Sequence, residues 1–214
     1  MYIETTRHNT YSYLRRTGEI VTSIVEDDDC VWKFAPLKPF STMPEVDTFI
    51  LGITEQCNLR CTYCCYSGQY ASNRTHSSRS LDMDDIDEIY RFIQRMTTKR
   101  PLYIGFYGGE PLTHYSLVQY AIEKGLECWG EKVRFSITTN GTLLSEESID
   151  WLIGHDVRLE ISIDGTAAYH DRHRVDIWGH GSFSRMQQAL NYIVTGHSEY
   201  NNYRLQMTLP SVVT

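Results

Sequence analysis

The sequence contains no apolar run approaching the roughly 20 residues that a membrane-spanning helix needs. Its opening stretch, MYIETTRHNT, lacks the basic-then-apolar layout of a secretory signal. These two absences make a cytoplasmic protein, with no membrane partner, the expectation. Basic charge is also short: 20 Lys and Arg stand against 27 Asp and Glu, a net charge of −7. A nucleic-acid binder usually needs a net basic surface to displace counterions, so this balance weighs against such a partner. Proline is scarce, and three of the six fall at positions 36, 39 and 44. They break the local pattern and put a boundary near residue 46. What is present is a 41% hydrophobic content over 214 residues, enough for the core of one domain with a short appendage.

Residues 1–46 hold short alternating stretches, Glu19–Ile24 and Val31–Phe34, around the acidic run Glu26 to Asp29. That pattern predicts a β-hairpin-like extension. Beyond it, strands and helices alternate. Strands are predicted at Phe49–Thr54, Leu102–Tyr107, Val133–Thr139, Arg158–Asp164 and Tyr203–Leu209. Helical spacing appears between them: Ile86, Ile89, Phe92, Ile93 and Met96; Leu117, Val118, Ala121, Ile122 and Leu126; Ile149, Leu152 and Ile153; Met186, Ala189, Leu190, Ile193 and Val194. Asp82 with Asp85, and Ser145, are placed to cap two of these helices. Repeated strand–helix order implies an α/β fold with a parallel sheet. The strands themselves alternate: Leu159, Ile161 and Ile163 oppose Glu160, Ser162 and Asp164, and the third and last strands do the same. A sheet buried on both faces would read as continuous apolar runs. Helices are therefore expected on one face and a polar cavity on the other.

Six cysteines occur, at 30, 57, 61, 64, 65 and 128, four of them within nine residues. Such clustering argues for metal or redox chemistry. Cys57, Cys61 and Cys64 directly follow the first strand of the alternating region. Three thiolates would leave one iron of a cubane without a protein ligand, an open position of the kind a catalytic site keeps. The competing reading is a zinc site with His76 as fourth ligand. Three further motifs also sit at strand C-terminal ends: Tyr107-Gly108-Gly109-Glu110-Pro111, Thr139-Asn140-Gly141 and Ser162-Ile163-Asp164-Gly165. That edge is where parallel α/β folds place their sites. The paired glycines suit close backbone approach to a ligand, and Glu110 suits an ammonium group. Cys30, Cys65 and Cys128 read as thiols outside the cluster, and Gln69–Arg79 as a mobile loop over the substrate mouth.

These motifs together resemble the radical S-adenosylmethionine (SAM) superfamily. CNLRCTYC at 57–64 is similar to its cluster motif and YGGEP at 107–111 to its methionine-amine motif. TTNGTLL at 138–144, SIDG at 162–165, HDRHR at 170–174 and GHGSF at 179–183 resemble the peptide- and protein-modifying maturases, the SPASM-type group that includes anaerobic sulfatase-maturing enzymes. The resemblance implies a partial (β/α)6 barrel over residues 47–214, with about five of six strands present, as the N-terminal part of a longer enzyme. It implies a 4Fe-4S cluster on Cys57, Cys61 and Cys64, with SAM as cosubstrate. It implies that Gly108, Gly109 and Glu110 hold the SAM amine, that Asn140, Ser162 and Asp164 contact ribose or methionine, and that Arg174, with Arg172 as competitor, pairs with its carboxylate. Its partners would be a peptide or protein substrate and a low-potential electron donor of flavodoxin or ferredoxin type. The alternatives are a radical SAM enzyme acting on a small metabolite or RNA, and a non-catalytic zinc-binding module.

Overall fold

The structure is a computed structural model and describes residues 2–5, 10–14, 20–24, 33–36, 46–68, 75–96 and 101–207. The chain divides into two compact units, residues 1–44 and 45–214. The first unit is more extensive than the expected hairpin. It is a four-stranded antiparallel sheet of β1 (Tyr2–Thr5), β2 (Thr10–Leu14), β3 (Ile20–Ile24) and β4 (Lys33–Pro36), paired in that order. The β3–β4 pair is the hairpin legible around the acidic run. Strands β1 and β2 escape a hydrophobicity reading because they are short and, apart from one aliphatic residue each, Ile3 and Leu14, mostly Tyr, Thr and Ser. Such residues fit a pleated surface without marking which face is buried. Cys30 lies outside the described residues.

The second unit carries five parallel strands in sequential order: β5 (Thr48–Thr54), β6 (Leu102–Gly108), β7 (Val133–Thr139), β8 (Arg158–Ile163) and β9 (Tyr203–Met207). Between them run α1 (Met83–Arg95), α2 (Tyr115–Trp129), α3 (Glu146–Gly154), then α4 (Ala167–His173) and α5 (Phe183–Gly196). Local chemistry sets where the helices start. Asp82 accepts from the Asp85 N–H while the Asp85 carboxylate accepts from the Asp82 N–H, a reciprocal capping box. Ser145 and Ser148 do the same for α3.

The apolar phase of each strand faces the helices. Leu51 and Ile53, Ile104 and Phe106, Phe135 and Ile137, and Leu159 and Ile161 are buried against Ile86, Tyr90 and Ile93 of α1, Val118 and Ile122 of α2, Leu152 of α3 and Met186 and Ile193 of α5. The opposite face is open, as expected, but it is polar only on β7 to β9. On β5 and β6 it carries Ile50, Tyr103 and Tyr107, which are 73%, 44% and 47% exposed. The last strand is described to Met207, and the predicted residues Thr208 and Leu209 lie outside the described residues. Among those described, β9 is an edge, and its Leu205 is 47% exposed despite sharing the apolar phase. No described helix is long and apolar enough to cross a membrane.

Candidate active site

The loop after β5 carries the three spaced cysteines, and neighbours fix its shape together with its own turns, such as the Cys64 N–H donating to the Cys61 carbonyl at 3.0 Å. Leu59 is buried, and residues 59–62 zip onto the segment after α4. The Arg60 N–H donates to the Val175 carbonyl at 2.6 Å, the Thr62 N–H to the His173 carbonyl at 2.9 Å, and Leu59 bridges Asp176. From the other side, Asn140 donates to the Asn58 side-chain oxygen at 2.9 Å, and Asn58 donates to the Thr142 hydroxyl at 2.8 Å. The Asn140 oxygen accepts from the Thr142 N–H and hydroxyl. Asn140 thus ties the cysteine loop to the end of β7.

Behind that loop lies the glycine–glutamate turn. The Gly109 N–H donates to the Thr54 carbonyl and the Glu110 N–H to the Gln56 carbonyl, both at 2.7 Å. A Cβ on Gly108 would stand 2.3 Å from the Thr54 oxygen, and one on Gly109 2.0 Å from the Gln56 oxygen. Gly108 also has φ +147°, which L side chains disfavour. The glycines therefore let this turn lie against the protein's own cysteine loop, a use that a ligand-approach reading misses. Glu110 is 1% exposed and accepts three hydrogen bonds, from the Leu112 N–H, the Thr139 hydroxyl and the Asn140 N–H. A carboxylate has about four acceptor sites, so one is left. Burial pushes the Glu110 carboxyl up to about 7, against the pull of its three donors.

These elements enclose a cavity of about 300 Å³ at the C-terminal edge of the sheet. Cys57, Cys61, Cys64, Gly108, Gly109, Glu110, Asn140, Ser162 and Arg174 all line it. Asp164 stands behind Arg174, 2% exposed, with its Oδ2 3.0 Å from the arginine Nε and accepting from the Tyr63 hydroxyl. The Tyr63 ring stacks under the same guanidinium, 5.6 Å away. Of the two candidate arginines, Arg174 lines the cavity and Arg172 is exposed to solvent. Arg174 is set in place by a directed chain. The Asp164 N–H donates to His170 Nδ1, leaving Nε2–H to donate to the Ser182 hydroxyl, which donates to the Arg174 carbonyl. His170 is fully buried, and that burial lowers its pKa, so the neutral ring holds this tautomer.

Tyr107, Thr138 and Thr139, which belong to the strand-end motifs but carried no expected role, also line the cavity, as does Gln206. Gln206 was findable from phase: it registers with Ser162 across β8 and β9, on the open face. The segment expected to be a mobile mouth loop needs correction at its end. Its residues 69–74 lie outside the described residues, but the Arg79 carbonyl accepts from the Glu55 N–H at 2.8 Å, and Ser80 bridges Thr54. Its C-terminal end is therefore laced to the end of β5.

The donor set fits an iron–sulfur cluster. Backbone N–H groups of Leu59 and Tyr66 donate to Cys57 Sγ and Cys64 Sγ, both at 3.4 Å, the kind of bond that stabilises ligating sulfur. Burial pushes the Cys57 thiol up to about 12 and the Cys61 thiol up to about 11, the latter eased by the charge of Arg174. Metal loading must release those protons. His76 Nε2 lies 3.9 Å from Cys64 Sγ. Among the described residues, no three His, Cys, Asp or Glu side chains form a group that could hold a metal ion, an absence that applies to the cluster thiols and to a zinc site alike. Asp164 Oδ1 is buried without a hydrogen-bond partner, beside a cavity whose ligand could supply one.

The similarity of the chain to known proteins agrees with this geometry. It is 28% identical over 176 residues to the cysteine-type anaerobic sulfatase-maturating enzyme of Clostridium novyi, covering 80% of this chain and 44% of that one. It is 31% identical over 153 residues to the serine-type enzyme of Bacteroides thetaiotaomicron, covering 68% and 36%. The structure of anSMEcpe with bound AdoMet and the Cp18Cys peptide superposes with a TM-score of 0.63 at 22% identity, over 77% of this chain and 43% of that one. The chain thus spans less than half the length of these relatives, and its fold is a partial radical SAM barrel. The family model for the Radical SAM superfamily matches residues 51–195, and the chain belongs to that superfamily, whose members use a 4Fe-4S cluster and SAM.

Proposed function

We propose that this chain carries the SAM-cleaving site of a maturase that modifies a peptide or protein side chain. The observation that carries the reading is convergence: the three spaced thiols, the glycine–glutamate turn and Arg174 line one cavity. Cys57, Cys61 and Cys64 would hold three irons of the cluster. When bound, the cluster would supply the one-electron reduction that splits the SAM sulfonium into methionine and a 5′-deoxyadenosyl radical able to take a hydrogen atom from a substrate. The residues around it bind and orient. The last acceptor site on Glu110 suits the methionine ammonium. Arg174, held through Nε by Asp164, suits the carboxylate, where a planar guanidinium gives paired hydrogen bonds. Ser162 and Asn140, which line the cavity, and the partnerless Asp164 oxygen would contact the ribose or methionine.

Sulfatase-maturating enzymes are among the relatives that match this core, and one matching structure has AdoMet and a peptide bound. A peptide substrate and a low-potential electron donor follow as the chain's partners on this reading. The test is anaerobic reconstitution followed by assay for 5′-deoxyadenosine with dithionite and SAM. The expected result is nucleoside formation that vanishes in Cys57→Ala, Cys61→Ala and Cys64→Ala. Bound zinc with no nucleoside would reject the reading.

A further inference from the structure

Two polar side chains, His170 and Ser182, are both 0% exposed, and neither lines the cavity. Burying polar groups is costly unless they are hydrogen-bonded, and these two spend their bonds on the backbone of Asp164 and Arg174. His170 Nδ1 accepts from the Asp164 N–H at 3.3 Å, its Nε2–H donates to the Ser182 hydroxyl at 3.0 Å, and that hydroxyl donates to the Arg174 carbonyl at 2.7 Å. The Arg174 N–H donates in turn to the His170 carbonyl at 2.8 Å. The backbone N–H and carbonyl of Arg174 are therefore both tied to His170, one directly and one through a single hydroxyl. The side chains of the two residues so held form the buried Arg174–Asp164 pair.

Ser182 is itself held from two directions. The loop from Val175 closes just before it, with Val175 bridging Gly181. The Phe183 N–H donates to the Asp171 carboxylate at 2.8 Å, and a Cβ on Gly181 would stand 2.2 Å from Asp171 Cγ. The chain entering Ser182 thus lies against α4 too closely for a side chain at position 181. The same loop carries the cysteine loop, since the Arg60 N–H donates to the Val175 carbonyl at 2.6 Å. One hydroxyl therefore fixes Arg174 against the element on which the thiol loop rests. A planar guanidinium grips a carboxylate by two parallel bonds, and such a clamp loses strength when it is displaced by about an ångström. We propose that His170 and Ser182 are positioning residues for SAM: they hold the Arg174 guanidinium where it meets the SAM carboxylate and so set the affinity for SAM, an inference that rests on the proposed function. A histidine suits the task because one ring accepts at Nδ1 and donates at Nε2 across a fixed span. Glutamine offers an amide acceptor and donor in its place, and phenylalanine offers only the volume.

The test titrates SAM calorimetrically onto the anaerobically reconstituted chain without reductant, so that binding is read and no turnover is needed. A second titration uses decarboxylated SAM, which keeps the sulfonium, the amine and the nucleoside but gives Arg174 no carboxylate to hold. Ser182→Ala leaves the His170 Nε2–H and the Arg174 carbonyl unpaired, so a lower melting temperature is expected whatever its role, and the affinities decide. Ser182→Ala should weaken SAM binding about tenfold, the scale on which a displaced clamp acts, with iron per chain unchanged. Its affinity for decarboxylated SAM should stay that of the wild type. His170→Phe should weaken SAM binding at least as much, and His170→Gln should recover part of the loss. In an Arg174→Ala chain, adding Ser182→Ala should cost nothing further, because the two residues act as one unit. Equal SAM affinity in the wild type and Ser182→Ala would overturn the proposal. So would an equal fall for both ligands, or additive losses in the double variant, either of which makes Ser182 a merely structural residue. A wild type that assembles no cluster or binds no SAM rejects the proposed function, and this inference with it.

Discussion

The two faces of the parallel sheet are made from the same five strands and do different things. The helix-covered face is built from every second residue of each strand, with Ile53, Ile104, Ile137, Leu159 and Ile161 each at 1% exposure or less. The open face carries Tyr107, Thr138, Ser162 and Gln206 into the cavity. Because side chains alternate along a strand, one residue of slip would exchange the two sets. The covered face therefore fixes register, and register delivers the site. Stability and chemistry are separable by position, although they are one residue apart.

That separation can be tested by breaking each face in turn. The largest expected effect is at the cysteines. Cys57→Ala, Cys61→Ala or Cys64→Ala should abolish SAM cleavage in a nucleoside assay, while circular dichroism shows the fold intact. Gly109→Ala comes next, because its Cβ would enter the Gln56 carbonyl oxygen at 2.0 Å. The cysteine loop must shift, and iron retained after reconstitution should fall several-fold even though no ligand is touched. On the covered face, Leu159→Ala should lower unfolding free energy by about 2–5 kcal/mol in urea titration, the usual range for a buried leucine. On the open face, Gln206→Ala should change stability by less than about 0.5 kcal/mol. A large loss there would show that the two faces are not separable.

The smallest effect is a pH dependence of the metal-free chain. Burial raises the folded pKa values of Cys57 and Cys61 to about 12 and about 11, from an ordinary value of 9.0. Both thiols are neutral in folded and unfolded chain below pH 9, so this contribution is fully present there. Above it the unfolded chain ionises first and stability is lost. The wild type should lose more stability than a Cys57→Ala, Cys61→Ala variant between pH 9 and 11, with no difference between pH 6 and 8. Parallel urea titrations check it.

Much of this was legible in the sequence, and the misses have physical causes. Helix starts were readable because Asp82 with Asp85 and Ser145 are local signals. The cysteine spacing and the strand-end motifs announced the site because each is contiguous in the chain. Contacts between motifs were not readable. Nothing in the order of residues says that the glycines press against Thr54 and Gln56, or that Asn140 spends its amide on Asn58. Nor does it say that a buried histidine, His170, orders Arg174 through Ser182. Strands β1 and β2 were missed because Tyr and Thr carry β-propensity without marking an inside. The aromatic half of the open face, Tyr103 and Tyr107, was missed because the polar phase of β7 to β9 was extended to the whole sheet.

The central claim is that the three thiols and the cavity beside them form one site, where metal and SAM meet. Electron paramagnetic resonance of the anaerobically reconstituted, dithionite-reduced chain, recorded with and without SAM, tests it most directly. A cubane signal whose shape changes on adding SAM is expected, with loss of that change in Arg174→Ala while the SAM-free signal persists. A signal indifferent to SAM, or a chain that retains zinc and gives no signal, would contradict it.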